Sequence, residues 1–600
     1  MTIELGFAEL TIDETHFGIV DVPGHERFVR TMVAGATGID IALLVVAADD
    51  SVMPQTIEHV EILRLLGLER AVVAITKIDV VDETMVELVT DDVRELLAGS
   101  PLANAPICPV SSTKGTGIAE LRRALVAVAA QIEKKSPATP FRMAVDRVFT
   151  VQGRGTVVTG SVLCGQVQNG DTLDVFPGMH RCRVRDLQAH GSAHASIARG
   201  QRAAINVSGI DRQQLQRGSE LATPGYLQPA RILDVQLHCL GSLNRPLKST
   251  STVRLELGTT ELPVRVVLLE SDRLEPGDTA FAQLRSGEPI TCVYGQRFIL
   301  RDESATRTIG GGVVLRPSTQ RRRRIGDDTI EALTALATGN PVDRLAQVLT
   351  TAAFDPPTDL QMCARSGVEL GELTDLMTRL KSDGTWAPVA TTGHFATPQT
   401  VEHMTRRLVS WLERHHRAHP QLPGRPVDSV LGWLERVTTH RALARPLLDQ
   451  MIASKIVKPL GRFICSPAFA PELSAADEKL LSVLVSEVRE GGFQPPTLDG
   501  VSIATQAGRK RITRLATLAV AMGELVAIEG RMYLHADAEH SLRKTVADLI
   551  SASGGVTVAQ VREALDSSRK FVVPFLEYLD RIGFTQRTGD ERTLVQDDDA

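Results

Sequence analysis

Short apolar runs alternate with helical stretches along the first 133 residues of the chain. The runs Ile41–Ala47 and Ala71–Ile75 have the length of buried strands, and the stretch Pro54–Leu66 between them has a helical pattern. Strands that alternate with helices are typical of a parallel α/β domain. We therefore predict an α/β domain over residues 1–135.

From Phe141 to about Leu315, apolar and polar residues alternate as in β-strands, and glycines interrupt the alternation. The linker Lys134–Pro137 precedes the region, and the segment Pro224–Pro229 divides it in two. Many short strands separated by turns are typical of β-barrels. We predict two β-barrel domains, over residues 140–225 and 227–318.

Helical patterns prevail beyond the basic run Arg321–Arg324, which is itself most typical of a solvated linker. They contain a degenerate repeat of an apolar helix, a turn and two short strands around a glycine-bearing tip. This is the outline of a winged helix-turn-helix, although a single copy could also be a helical domain with a β-ribbon. We predict four tandem winged helices, over residues 325–400, 401–470, 474–538 and 540–600. The repeated segments are Leu376–Phe395, Leu448–Ile464, Leu518–Leu534 and Phe575–Val595.

The formal net charge of −6 means that any nucleic-acid binding has to rest on local basic patches. The seven cysteines contain no CxxC pair and fit reduced thiols better than a disulfide framework. The sequence has no apolar span of about 18 residues and no signal-peptide pattern. We expect a cytoplasmic monomer that makes no membrane contact.

Three motifs in the first domain follow in the order that guanine-nucleotide binding requires. The motif Asp21-Val22-Pro23-Gly24 ends a predicted strand, where a carboxylate can hold a Mg²⁺-bound water and a glycine N–H can approach a γ-phosphate. In the motif Thr76-Lys77-Ile78-Asp79, the carboxylate can accept two hydrogen bonds from guanine while the lysine stem covers the base. Ser111 follows a third strand. One motif is weak evidence, but the ordered set predicts a GTP site made of Asp21, Gly24, Thr76, Lys77, Asp79 and Ser111.

The pattern resembles the translational GTPase family, above all elongation factor Tu and its relatives, over residues 1 to about 315. Asp21–Glu26 and Pro54–Thr56 with His59 carry the resemblance. It implies GTP and Mg²⁺ as cofactors, with Thr2 and Asp21 at the metal. It also implies that His25 positions the hydrolytic water on the ribosome, although an exposed loop histidine is the alternative.

The family's phosphate-binding loop, G-x-x-x-x-G-K-[ST], is absent from this sequence. Met1–Ile3 aligns with an internal family motif, so roughly thirty residues with the first strand, the loop and its helix are missing. The explanations are a start codon assigned too far downstream, a truncated gene, or a domain that has lost nucleotide chemistry. The joint retention of Asp21, His25, Asp79 and Ser111 favours the first. We expect the chain as written to bind GTP poorly and to leave a sheet edge uncovered.

The first barrel narrows the resemblance to the selenocysteine-specific branch of this family. In that branch, arginines at such positions form part of the pocket for the aminoacyl side chain, which implies a pocket of Asp146, Arg147 and Arg202. A selenol is more acidic than a thiol, and cysteine with a pKa of about 8.5 is mostly neutral at pH 7. Two guanidinium groups would therefore favour a selenolate. The alternative for each arginine is a surface salt bridge.

The last repeat carries basic residues at two places that could grip adjacent phosphates of an RNA stem. Arg569 and Lys570 open its helix, and Arg587 and Arg592 flank the hairpin tip. A solvated charged face is the alternative. The segment Phe575–Phe584 resembles the terminal winged helix of bacterial selenocysteine-specific factors, which binds the selenocysteine insertion hairpin of the message. The helix has a predicted apolar face formed by Val572, Phe575, Leu576, Leu579 and Ile582.

Together these resemblances imply a multidomain fold: an incomplete α/β P-loop-type G-domain, two β-barrels and tandem winged-helix (α+β) domains. They imply a translation elongation factor that binds GTP and delivers selenocysteyl-tRNA to the ribosome at UGA codons marked by an mRNA hairpin. One alternative is another translational GTPase that carries a different aminoacyl-tRNA. A second is a nucleotide-independent RNA-binding adaptor with a degenerate G-domain, and the missing loop leaves GTP hydrolysis by this chain undecided.

Overall fold

A computed structural model of the chain describes residues 5–24, 29–36, 38–132, 139–189, 191–318, 321, 327–389, 392–530 and 532–595. It contains two compact units. Residues Met1–Ala352 and Pro356–Trp386 form the first unit, and residues Ala353–Asp355 and Ala387–Ala600 form the second. Within the described ranges, no helix is both long and apolar enough to cross a membrane. Thr2, His25 and residues 322–324 lie outside the described residues, so their roles stay predictions.

The first domain combines a parallel three-stranded sheet, a separate hairpin and flanking helices. Its strands are β1 (Gly6–Ile12), β2 (Thr15–Asp21), β3 (Ala42–Ala47), β4 (Ala71–Thr76) and β5 (Ile107–Pro109), and its helices are α1 (Val29–Ala36), α2 (Pro54–Leu65), α3 (Glu83–Leu97) and α4 (Ile118–Ala129). The sheet has the order β3-β4-β5, with parallel pairing throughout. The strand β4 is buried over Ala71–Ile75, as its continuous apolar sequence predicts.

The edge of this sheet is uncovered at β3. Strand β3 alternates between buried and exposed positions, and the side chains of Leu43 and Val45 are 45% and 57% exposed. The hairpin of β1 and β2 forms its own two-stranded sheet, and no ladder joins it to β3 within the described residues. In the described part of the chain β3 is therefore an edge strand, as expected, and the side chains of Leu43 and Val45 are exposed on one face of the sheet. A strand edge of this kind is normally covered by another element.

The second domain is a closed six-stranded barrel. Its strands are β6 (Arg142–Val151), β7 (Gly155–Cys164), β8 (Gln166–Gln168), β9 (Thr172–Phe176), β10 (His180–Ala189), β11 (Ser192–His194), β12 (Ser196–Ala198), β13 (Arg202–Ser208) and β14 (Glu220–Ala222). The order β10-β13-β7-β6-β14-β9 closes because β9 also pairs with β10. A Cβ on Gly160 would lie 1.9 Å from the carbonyl oxygen of Ala144 on the next strand. Glycine at this position therefore permits the close approach of β6 and β7.

The third domain is a second closed barrel. Its strands are β15 (Ala230–Cys239), β16 (Leu247–Lys248), β17 (Thr252–Leu257), β18 (Thr260–Leu268), β19 (Arg273–Leu274), β20 (Thr279–Ile290), β21 (Arg297–Arg301) and β22 (Thr308–Ser318). The ring has the order β15-β20-β18-β17-β21-β22, and alternate apolar side chains fill its interior. The prediction of two β-barrels is confirmed.

Helices dominate the rest of the chain, and each predicted repeat contains a helix followed by a two-stranded antiparallel ribbon. The helices are α5 (Asp327–Thr338), α6 (Pro341–Ala352), α7 (Asp359–Ser366), α8 (Leu370–Ser382), α9 (Pro398–Ala418), α10 (Val427–Thr438), α11 (Arg441–Ala453), α12 (Ala475–Glu490), α13 (Leu498–Ala504), α14 (Arg509–Ala521), α15 (Ala536–Ser553), α16 (Val558–Ala564) and α17 (Arg569–Arg581). The strands are β23 (Ala387–Pro388), β24 (Phe395–Ala396), β25 (Arg425–Pro426), β26 (Lys458–Leu460), β27 (Phe463–Cys465), β28 (Leu525–Ala527), β29 (Tyr533–His535), β30 (Val556–Thr557), β31 (Thr585–Thr588) and β32 (Glu591–Leu594). The ribbons pair β23 with β24, β26 with β27, β28 with β29 and β31 with β32.

The last of these helices, α17, packs as its sequence predicts except at its end. Val572, Phe575, Leu576 and Leu579 are fully buried in the domain core. Ile582, which we predicted on the same apolar face, is 40% exposed. The reason is that α17 ends at Arg581, so the helical periodicity stops before it reaches Ile582.

Candidate functional site

The base-binding motifs meet at the carboxyl edge of the parallel sheet. Asp79 follows β4 and Ser111 follows β5, so neighbouring parallel strands bring their loops together. The Thr113 hydroxyl donates to Asp79 Oδ2 at 3.1 Å and lies 3.1 Å from the buried Ser111 hydroxyl. Hydrogen bonding from Ser111, with a smaller effect of Thr113, lowers the pKa of Asp79. The carboxylate is therefore held ionised as a double hydrogen-bond acceptor, which recognition of a guanine edge requires.

The lysine of the same motif is held by a carboxylate from the adjacent strand end. Lys77 has a φ of 59°, and its Nζ donates to the Asp49 carboxylate oxygens at 2.9 and 2.8 Å. The hydrogen bond raises the pKa of Lys77 and lowers that of Asp49. Asp49 lies two residues after the end of β3, so three successive strand ends contribute to this region. Asp49 was not predictable from the sequence, because nothing local to that residue indicates its partner.

The residues predicted at the phosphate end of the nucleotide line a wide cleft between β2 and β3. Asp21 ends β2 opposite Gly6, and its side chain is exposed. Gly24 lies against α2, since a Cβ placed on it would come 4.0 Å from His59 Cε1, and burial lowers the pKa of His59. The cleft has a volume of about 1320 Å³ and extends from these residues to the first barrel. Its lining includes Phe7, Leu43, Val45, Thr159 and Arg202.

The predicted aminoacyl pocket is organised around a buried carboxylate. Asp146 is 9% exposed, and Arg202 donates to both of its oxygens, with Nη2 at 2.9 Å from Oδ1. Thr159 Oγ1 donates to the same Oδ1 at 2.8 Å and accepts from Arg202 Nη2 at 3.2 Å. These contacts lock the guanidinium in one orientation. The structure thus brings Asp146 and Arg202 together, 56 residues apart in sequence.

Phe7 from the first domain completes this cluster and was missed by the sequence analysis. The Arg202 guanidinium carbon lies 3.6 Å from the centroid of the Phe7 ring, and that of Arg147 lies 5.3 Å from it. Arg147 also donates to the Leu5 carbonyl at 3.1 Å. The cluster therefore places two guanidinium groups beside one carboxylate and one aromatic ring. The sequence near Phe7 shows only an aromatic residue at an outward position of β1. Such residues are too common for a role to be assigned from the sequence.

The predicted RNA-binding residues of the last domain divide into two groups. Arg569, Lys570 and Arg587 are exposed, and the first turn of α17 contains no acidic residue. Arg592 is 3% exposed, and its Nε donates to Asp580 at 2.8 Å. The prediction of an RNA contact at Arg592 is therefore corrected. Its guanidinium is used inside the domain, where it neutralises a carboxylate of α17.

In the corresponding helix of the third repeat, α14, the arginines of the first turn form ion pairs. Arg509 binds Asp499 at 2.9 Å, and Arg511 binds Asp477 at 2.6 Å. Hydrogen bonding from Arg511 lowers the pKa of Asp477. Because these ion pairs engage both arginines at the start of α14, α17 is the better candidate for a phosphate contact.

Family models match three parts of the chain. The elongation factor Tu GTP binding domain matches residues 1–131. The beta-barrel domain of the selenocysteine-specific elongation factor matches residues 234–321, and the winged helix of elongation factor SelB matches residues 548–594. These segments coincide with the first domain, the second barrel and the last repeat.

Similar proteins match almost the whole chain. A selenocysteine-specific elongation factor of Desulfomicrobium baculatum is 34% identical, over 99% of this chain and 94% of the relative. A selenocysteine-specific elongation factor of Escherichia coli (strain K12) is 30% identical, over 99% and 93%. The fold matches the crystal structure of a bacterial selenocysteine-specific elongation factor with a TM-score of 0.59 and 23% identity, over 99% of this chain and 93% of that one. The chain therefore belongs to the selenocysteine-specific elongation factor family, as its motifs predict.

Proposed function

We propose that this chain binds GTP and selenocysteyl-tRNA and delivers the tRNA to the ribosome at UGA codons marked by an mRNA hairpin. GTP hydrolysis then releases the factor after codon matching. The relatives that cover its length are named selenocysteine-specific elongation factors. The observation that carries the proposal is the Arg202 guanidinium, which Asp146 and Thr159 hold in one orientation beside Phe7 and the second guanidinium of Arg147.

This cluster can discriminate side chains by charge. A selenolate gains electrostatic attraction from the guanidinium groups, whereas the hydroxyl of a seryl group is neutral and gains only hydrogen bonding. Arg202 is pre-oriented by Asp146 and Thr159, so little side-chain entropy is lost on binding. The pocket borders the cleft that also contains Asp21 and Gly24. This proximity supports a coupling between aminoacyl binding and the nucleotide-binding end.

The residues predicted to bind guanine suit a nucleotide base, and a Mg²⁺ ion at such a site requires few protein ligands. Asp79, backed by Ser111 and Thr113, provides the ionised acceptor for the base. Within the described ranges, no group of three or more His, Cys, Asp or Glu residues could hold a metal ion. Mg²⁺ at nucleotide sites takes one or two carboxylates and otherwise phosphates and waters, so Asp21 is a sufficient protein ligand in the described part. When bound, Mg²⁺ would neutralise charge on the phosphates.

The start of α17 supports recognition of the RNA hairpin. Arg569 and Lys570 are exposed there, and Arg587 lies on the following ribbon. The first-turn N–H groups and the two cations provide an anion-binding end, because no side chain caps the helix. The start of α17 and the ribbon that carries Arg587 could therefore contact neighbouring phosphates of one RNA stem.

The test of the cargo is equilibrium binding of the chain to one tRNA body charged with selenocysteine or with serine. We expect tighter binding of selenocysteyl-tRNA. Because the chain as written should bind GTP poorly, the nucleotide comparison uses a chain extended upstream to the next in-frame start, and we expect that chain to bind the tRNA more tightly with a non-hydrolysable GTP analogue than with GDP. Equal affinities for both aminoacyl groups would favour a carrier of another aminoacyl-tRNA. Selective binding by the extended chain that does not depend on the nucleotide would favour the nucleotide-independent adaptor.

The test of the hairpin contact is a titration of labelled insertion hairpin with the double variant Arg569→Gln/Lys570→Gln. We expect binding to fall by at least about tenfold, since two phosphate contacts are lost. The matched control is Lys544→Gln/Arg562→Gln, which removes two exposed charges elsewhere in the same domain. Equal losses in both variants would show that net charge matters and the start of α17 does not.

A further inference from the structure

The second repeat concentrates positive charge in an otherwise acidic chain. Residues 398–470 contain eleven lysines and arginines against five aspartates and glutamates, whereas the whole chain has a net charge of −6. The preceding segment 327–397 has four basic and ten acidic residues, and residues 474–538 have seven and eight. A local excess of this size is the electrostatic signature of a polyanion partner. Neither the family resemblance nor the predicted sites assigned a role to this repeat.

Helix α9 carries much of this charge on a single face. Its buried residues recur every four positions, at Thr400, Met404, Leu408, Leu412 and His416. The opposite face is exposed and contains His403, Arg406, Arg407, Arg414 and Arg417. With about 100° per residue, these five side chains fall within an arc of about 100°. The stripe from position 403 to position 417 is about 21 Å long, at about 1.5 Å per residue.

Most of this stripe is not neutralised by nearby carboxylates. In the described part of the chain, Arg407, Arg414 and Arg417 form no ion pair, and the Arg414 guanidinium donates to the Ser410 hydroxyl at 2.8 Å. Arg406 is paired with Glu402 at 3.1 Å. This differs from α14, where carboxylates neutralise the arginines at the helix start. Three guanidinium groups on α9 therefore remain available to an outside partner.

The helix that presents the stripe is firmly anchored. Trp411 of α9 stacks on Trp433 of α10 with ring centroids 5.9 Å apart. His416 stacks on Phe469 at 3.6 Å and accepts a hydrogen bond from the Ser466 N–H. Because the buried face is held by these contacts, the exposed arginines share a rigid backbone. Preorganised cations lose less entropy when they bind a regular array of anions.

We propose that the exposed face of α9 binds the ribose-phosphate backbone of an RNA stem without reading its sequence. Phosphate contacts need cations at intervals along a rigid surface, and α9 provides three over about 15 Å. A protein partner would need exposed apolar anchors, and α9 exposes no large apolar side chain within the described residues. The choice of RNA as the polyanion rests on the proposed function, but the contact itself requires neither GTP, nor charged tRNA, nor the insertion hairpin.

The experiment uses the full chain and a labelled RNA duplex of about 20 base pairs with arbitrary sequence. Fluorescence anisotropy over a range of salt concentrations gives both the affinity and its salt dependence. For the triple variant Arg407→Gln/Arg414→Gln/Arg417→Gln, we expect at least about tenfold weaker binding. The slope of log affinity against log salt should become shallower by about 2–3, because each phosphate contact contributes about 0.9.

The matched control is Arg94→Gln/Arg123→Gln/Arg273→Gln, which removes the same charge from exposed sites outside this repeat. We expect it to retain the parent affinity and slope. All six positions are exposed, so thermal unfolding should stay close to the parent and rule out misfolding. An unchanged slope in the α9 variant, or equal changes in the control, would overturn the proposal. The duplex contains neither cargo nor hairpin, so this result is independent of whether selenocysteine is the cargo.

Discussion

Replacing Arg202 by alanine should remove the preference for selenocysteyl-tRNA over seryl-tRNA. Arg202 binds both oxygens of Asp146 and lies 3.6 Å from the Phe7 ring centroid. The replacement removes one unit of positive charge from the cluster. It also leaves the buried carboxylate of Asp146 with Thr159 as its remaining side-chain donor.

The magnitude follows from the separation and exposure of these charges. Two unit charges about 4 Å apart interact by about 4 kcal/mol at an effective dielectric constant of about 20. The Arg202 side chain is 22% exposed, so solvent screening reduces this value, and we expect a loss of about 1–3 kcal/mol. This corresponds to about 5- to 150-fold in relative affinity for the selenolate. Loss of the ion pair should also destabilise the first barrel by about 2 kcal/mol, since Asp146 is nearly buried.

Paired titrations with selenocysteyl-tRNA and seryl-tRNA on the same tRNA body measure the selectivity directly, and thermal unfolding measures the stability. The double variant Asp146→Asn/Arg202→Ala removes one negative and one positive charge, so it keeps the parent net charge and leaves no stranded carboxylate. It should therefore recover part of both properties. Equal loss of affinity for the two tRNAs in Arg202→Ala would refute charge discrimination and leave Arg202 with a purely structural role.

Three further predictions concern stability. Arg592→Ala should destabilise the last domain by about 2 kcal/mol, because it leaves the carboxylate of Asp580 without its buried partner. Arg587→Ala should weaken only hairpin binding. Thermal unfolding and RNA titration distinguish the two variants, and equal unfolding midpoints for both would contradict the buried role of Arg592. Gly160→Ala should destabilise the first barrel by about 1–3 kcal/mol, since its Cβ would lie 1.9 Å from the carbonyl oxygen of Ala144, and unchanged denaturant unfolding would contradict this packing. Burial lowers the pKa of His416 from 6.5 to about 4, so the unfolded state is protonated at a higher pH than the folded state. About 2 kcal/mol of folding stability that is present above pH 6.5 should therefore be lost by pH 5. Denaturant unfolding at both pH values checks it, and His416→Asn should flatten the profile.

The order of domains and most element positions were predictable from the sequence because they depend on local patterns. The predicted helix Pro54–Leu66 is observed as Pro54–Leu65, since proline at the first turn and apolar periodicity are both local signals. The proximity of the loops with the predicted base-binding motifs was predictable for a related reason. Their motifs follow strands directly, and the carboxyl ends of adjacent parallel strands necessarily share one edge. The last repeat likewise forms its helix and ribbon where the pattern indicates.

Pairing between distant residues could be decided only by the tertiary structure. Arg587 and Arg592 look alike in sequence, yet Arg592 is buried because the ribbon folds it against Asp580 on α17. Phe7 lies 195 residues before Arg202, and packing of the first domain on the barrel brings their side chains together. The ion pairs that Asp477 and Asp499 form with the arginines at the start of α14 could likewise not be predicted from the sequence. Periodicity and turn chemistry specify local structure, whereas the availability of a charge depends on which partners the fold places within a few ångströms.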